Sequence, residues 1–190
     1  RDESSYTVGL RGAVEEAIRI GREAKIPVHI AHIKALGADV WGKSGEIVDL
    51  INKARAEGIR VTADQYPYTA SGTSLGAALI PRWAQEGGRA KFLERLADSV
   101  TRQKMLHEMT DNLRRRGGEE SILLLTPHDL AMKGKTLGAV AKVHRKPAIE
   151  MALDILAKGE VGVASFNMQE ADIERFMKEP WVMTGSDGSA

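Results

Sequence analysis

The sequence contains no cysteine, so no disulfide, thiolate metal ligand or cysteine nucleophile enters its fold or its chemistry. That usage suits the cytosol, and a cytoplasmic location is the expectation. No charge of one sign prevails either. The 27 basic and 26 acidic side chains leave a formal charge of +1, which creates no global field for polyanions or for a membrane surface. No apolar run approaches the roughly 20 residues that span a bilayer, and no basic-then-apolar signal segment opens the chain. Neither nucleic acid nor membrane is an expected partner. An initiating methionine is also missing. Arg1-Asp2-Glu3-Ser4-Ser5 leads straight into a loop, and Gly185-Ser186-Asp187-Gly188-Ser189-Ala190 stops as abruptly, so the expectation is of a piece cut from something longer. Internal repeats and low-complexity tracts are absent.

What is present is globular material. Of 190 residues, 43% are hydrophobic and 28% charged, enough to bury one sizeable core. Val14, Ala17, Ile18 and Gly21 fall at helical spacing, which predicts an amphipathic helix over 8–24. Ile26-Pro27-Val28-His29-Ile30-Ala31-His32-Ile33-Lys34 reads as a buried strand. Ser44 can cap a second helix that stops at Gly58, and a strand follows over 59–63. Two such alternations within about 60 residues argue for parallel βα units.

From Gln65 to Trp83 the chain reads as a structured loop beyond a strand end. Residues 89–116 are predicted to be helical in two pieces. Phe92, Leu93, Leu96 and Val100 form one stripe, Met105, Leu106, Met109 and Leu113 another, and Gly117-Gly118 ends the run. A strand over 121–126, a short helix after Gly134-Lys135-Thr136-Leu137, a longer one from Pro147 through Leu156 and a strand over 161–166 come next. Asn167 and Glu170 have the spacing of a capping box for a helix ending before Pro180, and 181–186 reads as the last strand.

Alternation in the first strand places 28, 30, 32 and 34 on one face and 29, 31 and 33 on the other. His32 and Lys34 then face one way, at a strand end where polar residues assemble sites in parallel barrels, while His29 is expected to pack against a helix. By itself His32 reads more simply as a hydrogen-bonded core histidine than as a metal ligand, because no partner lies at ligand spacing. Asp187 is a second candidate at a strand terminus, against a plain Asp-Gly turn. Asp64 with Tyr66 and Tyr68 is a third, against a polar strand end followed by a turn at Pro67. Arg114-Arg115-Arg116 is most simply a solvated helix end. The segment Gly134-Lys135-Thr136 lacks the first glycine of a phosphate loop. His107, His128 and His144 have no ligand-spaced partners.

Three stretches in order, His29-Ile30-Ala31-His32-Ile33-Lys34, Thr62-Ala63-Asp64-Gln65-Tyr66-Pro67-Tyr68-Thr69-Ala70 and Pro180-Trp181-Val182-Met183-Thr184-Gly185-Ser186-Asp187-Gly188, resemble the N-acyl-D-amino-acid deacylase (D-aminoacylase) branch of the amidohydrolase superfamily. Arg1-Asp2-Glu3, the Gly134–Leu137 tetrad and Phe166-Asn167-Met168 extend the likeness over nearly the whole chain. The resemblance implies an α/β fold, a partial (β/α)8 TIM-type barrel with parallel strands. It would hold about strands 5 to 8, with only the edge of five, and 69–147 would be a helical substrate-side insertion in a C-terminal barrel fragment comprising 1–190. It implies a zinc-dependent enzyme that hydrolyses the amide of N-acyl-D-amino acids, small molecules, with this fragment inactive by itself.

Carried over position by position, the likeness makes His32 a zinc ligand and Asp187 the carboxylate that binds or faces the metal and shuttles the proton. Lys34 and Tyr66 would hold the substrate carboxylate or the polarised carbonyl, and Ser186 and Gly188 would shape the loop around Asp187. The imidazole at 32 and the carboxylate at 187 are expected to end neighbouring strands and to open onto a common cavity. Alternatives are a dihydroorotase-, hydantoinase- or dipeptidase-like amidohydrolase and a non-catalytic barrel fragment. Open sheet edges lead us to expect self-association, or pairing with the missing barrel half.

Overall fold

In the computed structural model, which describes residues 2–188, Leu10, Val14, Ile18 and Gly21 form the buried stripe of the first helix, α1 (Gly9–Ala24). Lys25, left-handed at φ 56°, ends it by donating its N–H to the Gly21 carbonyl, a common way to satisfy a helix's last acceptors. The strand that follows, β1 (Val28–Ile30), is much shorter than the expected 26–34. Ala31 and His32 turn out of it, and His32 takes a left-handed backbone with φ 40°.

The second helix, α2 (Ser44–Ala56), buries Ile47, Val48, Ile51 and Ala54. Ser44 does not cap it as expected. The start of α2 is held instead by Asp172, distant in sequence, whose carboxylate accepts the N–H groups of Gly42 (2.8 Å) and Ser44 (3.1 Å). An acceptor of this kind at a helix start contributes about 1 kcal/mol. Next, β2 (Val61–Gln65) lies parallel to β1, with Val28, His29 and Ile30 opposite Val61, Thr62 and Ala63.

Only four residues separate β2 from β3 (Ala70–Ser74), too few for a crossover to a parallel neighbour, and β3 belongs to a different sheet. Six helices and two strands follow it. They are α3 (Leu75–Leu79), α4 (Arg82–Gln85), α5 (Gly88–Ala97), α6 (Ser99–Arg115), β4 (Ile122–Leu124), α7 (Leu137–His144), α8 (Ala148–Lys158) and β5 (Gly162–Phe166). In this sheet β5 lies between β3 and β4 and is antiparallel to both, so the expectation of parallel strands does not extend to it. The residues Ala70–Asn167 form one compact unit. Its core gathers Leu75 and Leu79, Met105, Met109 and Leu113, Ile122 and Leu124, and the apolar face of α8. Met105, Met109 and Leu113 of the stripe expected on α6 are buried and Leu106 partly so, whereas Val100 is 76% exposed and leaves the stripe proposed for Phe92.

Asn167 does not cap the next helix, because its fully buried amide lies 3.0 Å from Ser71 Oγ and 3.2 Å from Ser165 Oγ. That helix, α9 (Glu170–Met177), begins after Gln169 without a side-chain cap. It and β6 (Val182–Thr184) return to a second compact unit, made of the described residues up to Thr69 and from Met168 on. There β6 pairs parallel with β2, giving the order β1-β2-β6. One face of this parallel sheet carries Val61 and Ala63 and packs with α1, α2, Phe176 of α9 and Trp181 into a core. The other carries His29, Thr62, Asp64 and Met183. Among the described residues no helix is long and apolar enough to cross a membrane.

Candidate active site

Three parallel strands end at Ile30, Gln65 and Thr184, so the chain segments that leave them emerge at one edge of the sheet. His32 and Lys34 follow β1, Tyr66 follows β2 and Asp187 follows β6, which places all four sequence candidates beyond C-terminal strand ends. The strands that precede His32 and Asp187 are not neighbours as expected, since β2 runs between them.

His32 is held from both sides. Its N–H donates to Asp64 Oδ1 (2.6 Å), and its ring Nδ1 lies 2.7 Å from Glu3 Oε1. Lys34 is buried, with Nζ 2.8 Å from the same Glu3 oxygen, 2.7 Å from His32 Nδ1 and 5.2 Å from the centre of the Tyr66 ring. Tyr66 is buried against Met168 and Ile173 and stacks on the more exposed Tyr68, with ring centres 5.9 Å apart. Burial, with the Glu3 and Asp187 carboxylates adding to it, pushes the Tyr66 phenol well above its ordinary range, so it remains a hydrogen-bond donor. Asp187 is exposed in a left-handed turn, φ 50°, and the Gly188 N–H reaches Ser186 Oγ at 3.2 Å. Among the described residues no three histidine, aspartate or glutamate side chains lie together as a metal-binding set.

Two residues that organise this edge were not site candidates in the sequence. Glu3 bridges His32 and Lys34 from a loop ordered by Asp2, whose carboxylate accepts the N–H groups of Ser4 (3.0 Å), Thr7 (2.6 Å) and Gly9 (3.0 Å) and the Thr7 hydroxyl (3.0 Å). Burial would raise the Asp2 carboxyl, but these four donors outweigh it and hold the group below its usual range. His29 is the second. Rather than packing against a helix, its ring lies on the uncovered sheet face, with Nδ1 2.9 Å from Thr62 Oγ1 and Nε2 2.7 Å from Asp64 Oδ2. Burial opposes ionisation of Asp64 too, and the hydrogen bonds from the His29 ring and the His32 N–H more than offset it, so its carboxyl is lowered.

No protein-family model matches the chain. Curated relatives do. An N-acyl-D-aspartate deacylase of Alcaligenes xylosoxydans xylosoxydans is 31% identical over 188 residues, which are 99% of this chain and 29% of the relative. An N-acyl-D-glutamate deacylase of the same organism is 27% identical over 179 residues, 94% of this chain and 29% of the relative. Among solved structures, the N-acyl-D-glutamate deacylase of Bordetella bronchiseptica, complexed with zinc and a phosphonate mimic of the tetrahedral intermediate, superposes with a TM-score of 0.65. It is 26% identical, and the match covers 98% of this chain and 31% of that one. A D-aminoacylase whose structure defines a subset of the amidohydrolases gives a TM-score of 0.62 at 26% identity, over 99% of this chain and 31% of that one. The chain therefore spans about three tenths of the length of these proteins. By sequence and by fold, its homologues are the N-acyl-D-amino-acid deacylases and D-aminoacylases of the amidohydrolase family, which it matches as a short segment.

Proposed function

We propose that the chain contributes one part of the active site of a longer, zinc-dependent amidohydrolase that removes the acyl group from N-acyl-D-amino acids. The observation that carries this reading is the position of His32, Lys34, Tyr66 and Asp187, each beyond the C-terminal end of one of three parallel strands, in a chain whose homologues are deacylases. Sites in parallel barrels are built at that end.

The same reading makes β1, β2 and β6 strands six, seven and eight of a (β/α)8 barrel, with the loop before α1 at the edge of strand five and 69–147 a substrate-side insertion. The uncovered sheet face supports it. Parallel sheets are covered on both faces almost without exception, yet the side chains of His29 and Asp64 are 43% and 37% exposed and Met183 is 50% exposed. In a barrel that face is the interior.

His32 and Asp187 would hold the metal. His32 fits that role, because Nδ1 rests on Glu3 and Nε2 has no hydrogen-bond partner among the described residues. One histidine and one aspartate do not make a four-ligand site, so the remaining ligands would come from the rest of the longer protein. Zinc, when bound, supplies a nucleophile at neutral pH and charge stabilisation on the carbonyl oxygen. Asp187 would take a proton from the attacking water and return it to the departing amine, acting as general base and then general acid. Lys34 would exchange part of its contact with Glu3 for the α-carboxylate of the substrate. Tyr66, held protonated, would donate its O–H to that carboxylate or to the carbonyl.

The test is a panel of N-acyl-D- and N-acyl-L-amino acids, hydantoins and dipeptides, assayed with the longest reading frame that contains this chain. We expect zinc-dependent release of D-amino acids and its loss in His32→Ala and Asp187→Asn. Release from none of the N-acyl-D substrates would reject the assignment. Zinc absent from the purified protein would favour a non-catalytic barrel segment.

A further inference from the structure

We infer that Glu3 is the positioning residue that fixes the tautomer of His32, keeping the proton on Nδ1 and leaving the lone pair of Nε2 bare. The inference deepens the reading of His32 as a metal ligand, since only a bare ring nitrogen can bind a metal.

The backbone at His32 is left-handed at φ 40°, a strain of about 1–3 kcal/mol for a residue with a side chain. Three hydrogen bonds hold it in place. The His32 N–H reaches Asp64 Oδ1 at 2.6 Å, the Ile33 N–H reaches the Asp64 carbonyl at 2.8 Å, and the Leu36 N–H reaches the Glu3 carbonyl at 2.8 Å. Asp64 is itself braced by His29 Nε2 at 2.7 Å. The loop that carries Glu3 is tied down by the donors gathered on Asp2. Main chain and carboxylate are thus both set before any ligand arrives.

The ring then has two ways to satisfy Nδ1. Glu3 Oε1 lies 2.7 Å from it, and so does Lys34 Nζ. An ammonium can only donate and a carboxylate can only accept. If Lys34 donates to Nδ1, the proton of the neutral ring moves to Nε2, and the 2.7 Å approach of Glu3 Oε1 becomes a contact between two lone pairs. If Nδ1–H donates to Glu3, that oxygen accepts two charge-assisted bonds, from His32 and from Lys34, the stronger arrangement; the 2.7 Å approach of Lys34 Nζ to Nδ1–H is then a contact between two donors, which the long lysine chain can relieve more readily than Glu3 can leave its braced loop. This second arrangement also keeps the ring fixed when Lys34 is drawn away, whereas the first arrangement loses its only bond to Nδ1. A carboxylate behind a histidine is the usual means by which proteins orient a ligating imidazole.

The experiment is long-range proton–nitrogen correlation on the 190-residue chain labelled in its histidines, at a pH where the rings are neutral, without metal or substrate. The His32 signal is identified by its loss in His32→Gln. We expect Nδ1 protonated and Nε2 bare in the wild type, a shift of the proton toward Nε2 in Glu3→Leu, and recovery of the wild-type pattern in Glu3→Gln, whose amide oxygen can still accept. A wild-type ring with its proton on Nε2 overturns the inference, and that measurement needs no variant to fold. An unchanged tautomer in Glu3→Leu overturns it as well. Because neither zinc nor turnover enters the measurement, failure of the deacylase assignment and failure of this inference are read separately.

Discussion

A buried carboxylate that collects four donors has a stated pH dependence. Asp2 is 6% exposed, and its carboxyl is held below the ordinary range in the folded chain. A lowered folded pKa contributes stability that is fully present above the unfolded value, about 4, and that is lost as pH falls through the folded value. Asp2→Asn should therefore be less stable than the wild type at pH 7, by about 1–3 kcal/mol. The gap should close as the pH falls below about 4. Urea unfolding at pH 7 and at pH 3 measures both. A constant difference across that range would assign the effect of the substitution to packing.

At this scale the sequence was informative where a polar residue follows a strand and silent where two loops meet. His32, Lys34, Tyr66 and Asp187 stand out because each lies just beyond an apolar strand. Glu3 does not, since nothing local connects it to Lys34, 31 residues away. His29 was misplaced for a different reason. The alternation itself is right, but the sheet face that carries position 29 is the uncovered one, and β1 ends before alternation can reach 32.

Among the elements, the contact of α1 with β1 depends on one small residue. A methyl group at Gly21 would lie 2.6 Å from Val28 Cγ2 and 3.3 Å from the Ile26 carbonyl. Alanine inside a helix gains roughly 1 kcal/mol over glycine, whereas overpacking costs about 1–3 kcal/mol. The Ile26 carbonyl belongs to the backbone and cannot rotate away, so overpacking wins. Gly21→Ala is expected to lower the urea midpoint with an unchanged slope, and a raised midpoint would show that β1 can shift.

Helices and strands were largely legible from their periodicity, because apolar stripes such as Val14, Ile18 and Gly21 follow directly from burial. Their ends were less so. The Ser44 and Asn167 caps fail because tertiary partners took over, Asp172 at the start of α2 and the buried hydroxyls of Ser71 and Ser165 at Asn167. The antiparallel sheet was missed as well. Ala70–Ser74 is small and polar, and it reads as a loop until β5 lies beside it.

For the whole molecule, the parallel sheet has β1 and β6 each bonded on one side only among the described residues, and the face with His29, Asp64 and Met183 uncovered. Strand edges and bare faces of this kind are templates for pairing. The 190-residue chain in solution should therefore self-associate, with an apparent mass that rises with concentration in light scattering. A monomer that persists at high concentration would contradict the expectation.

The chain passes from one compact unit to the other between Thr69 and Ala70 and again between Asn167 and Met168. Ala70 and Phe166 pair as the first and last residues of β3 and β5, and the Met168 N–H donates to the Thr69 carbonyl at 3.1 Å. The chain thus leaves for β3 and comes back from β5 at adjoining residues. An exchange of the residues between those two points would leave the pairing of β1, β2 and β6 untouched. A graft of Ala70–Asn167 from a homologue would therefore require only two adjoining splices, and the parallel sheet that carries His32, Tyr66 and Asp187 beyond its strand ends would be inherited whole.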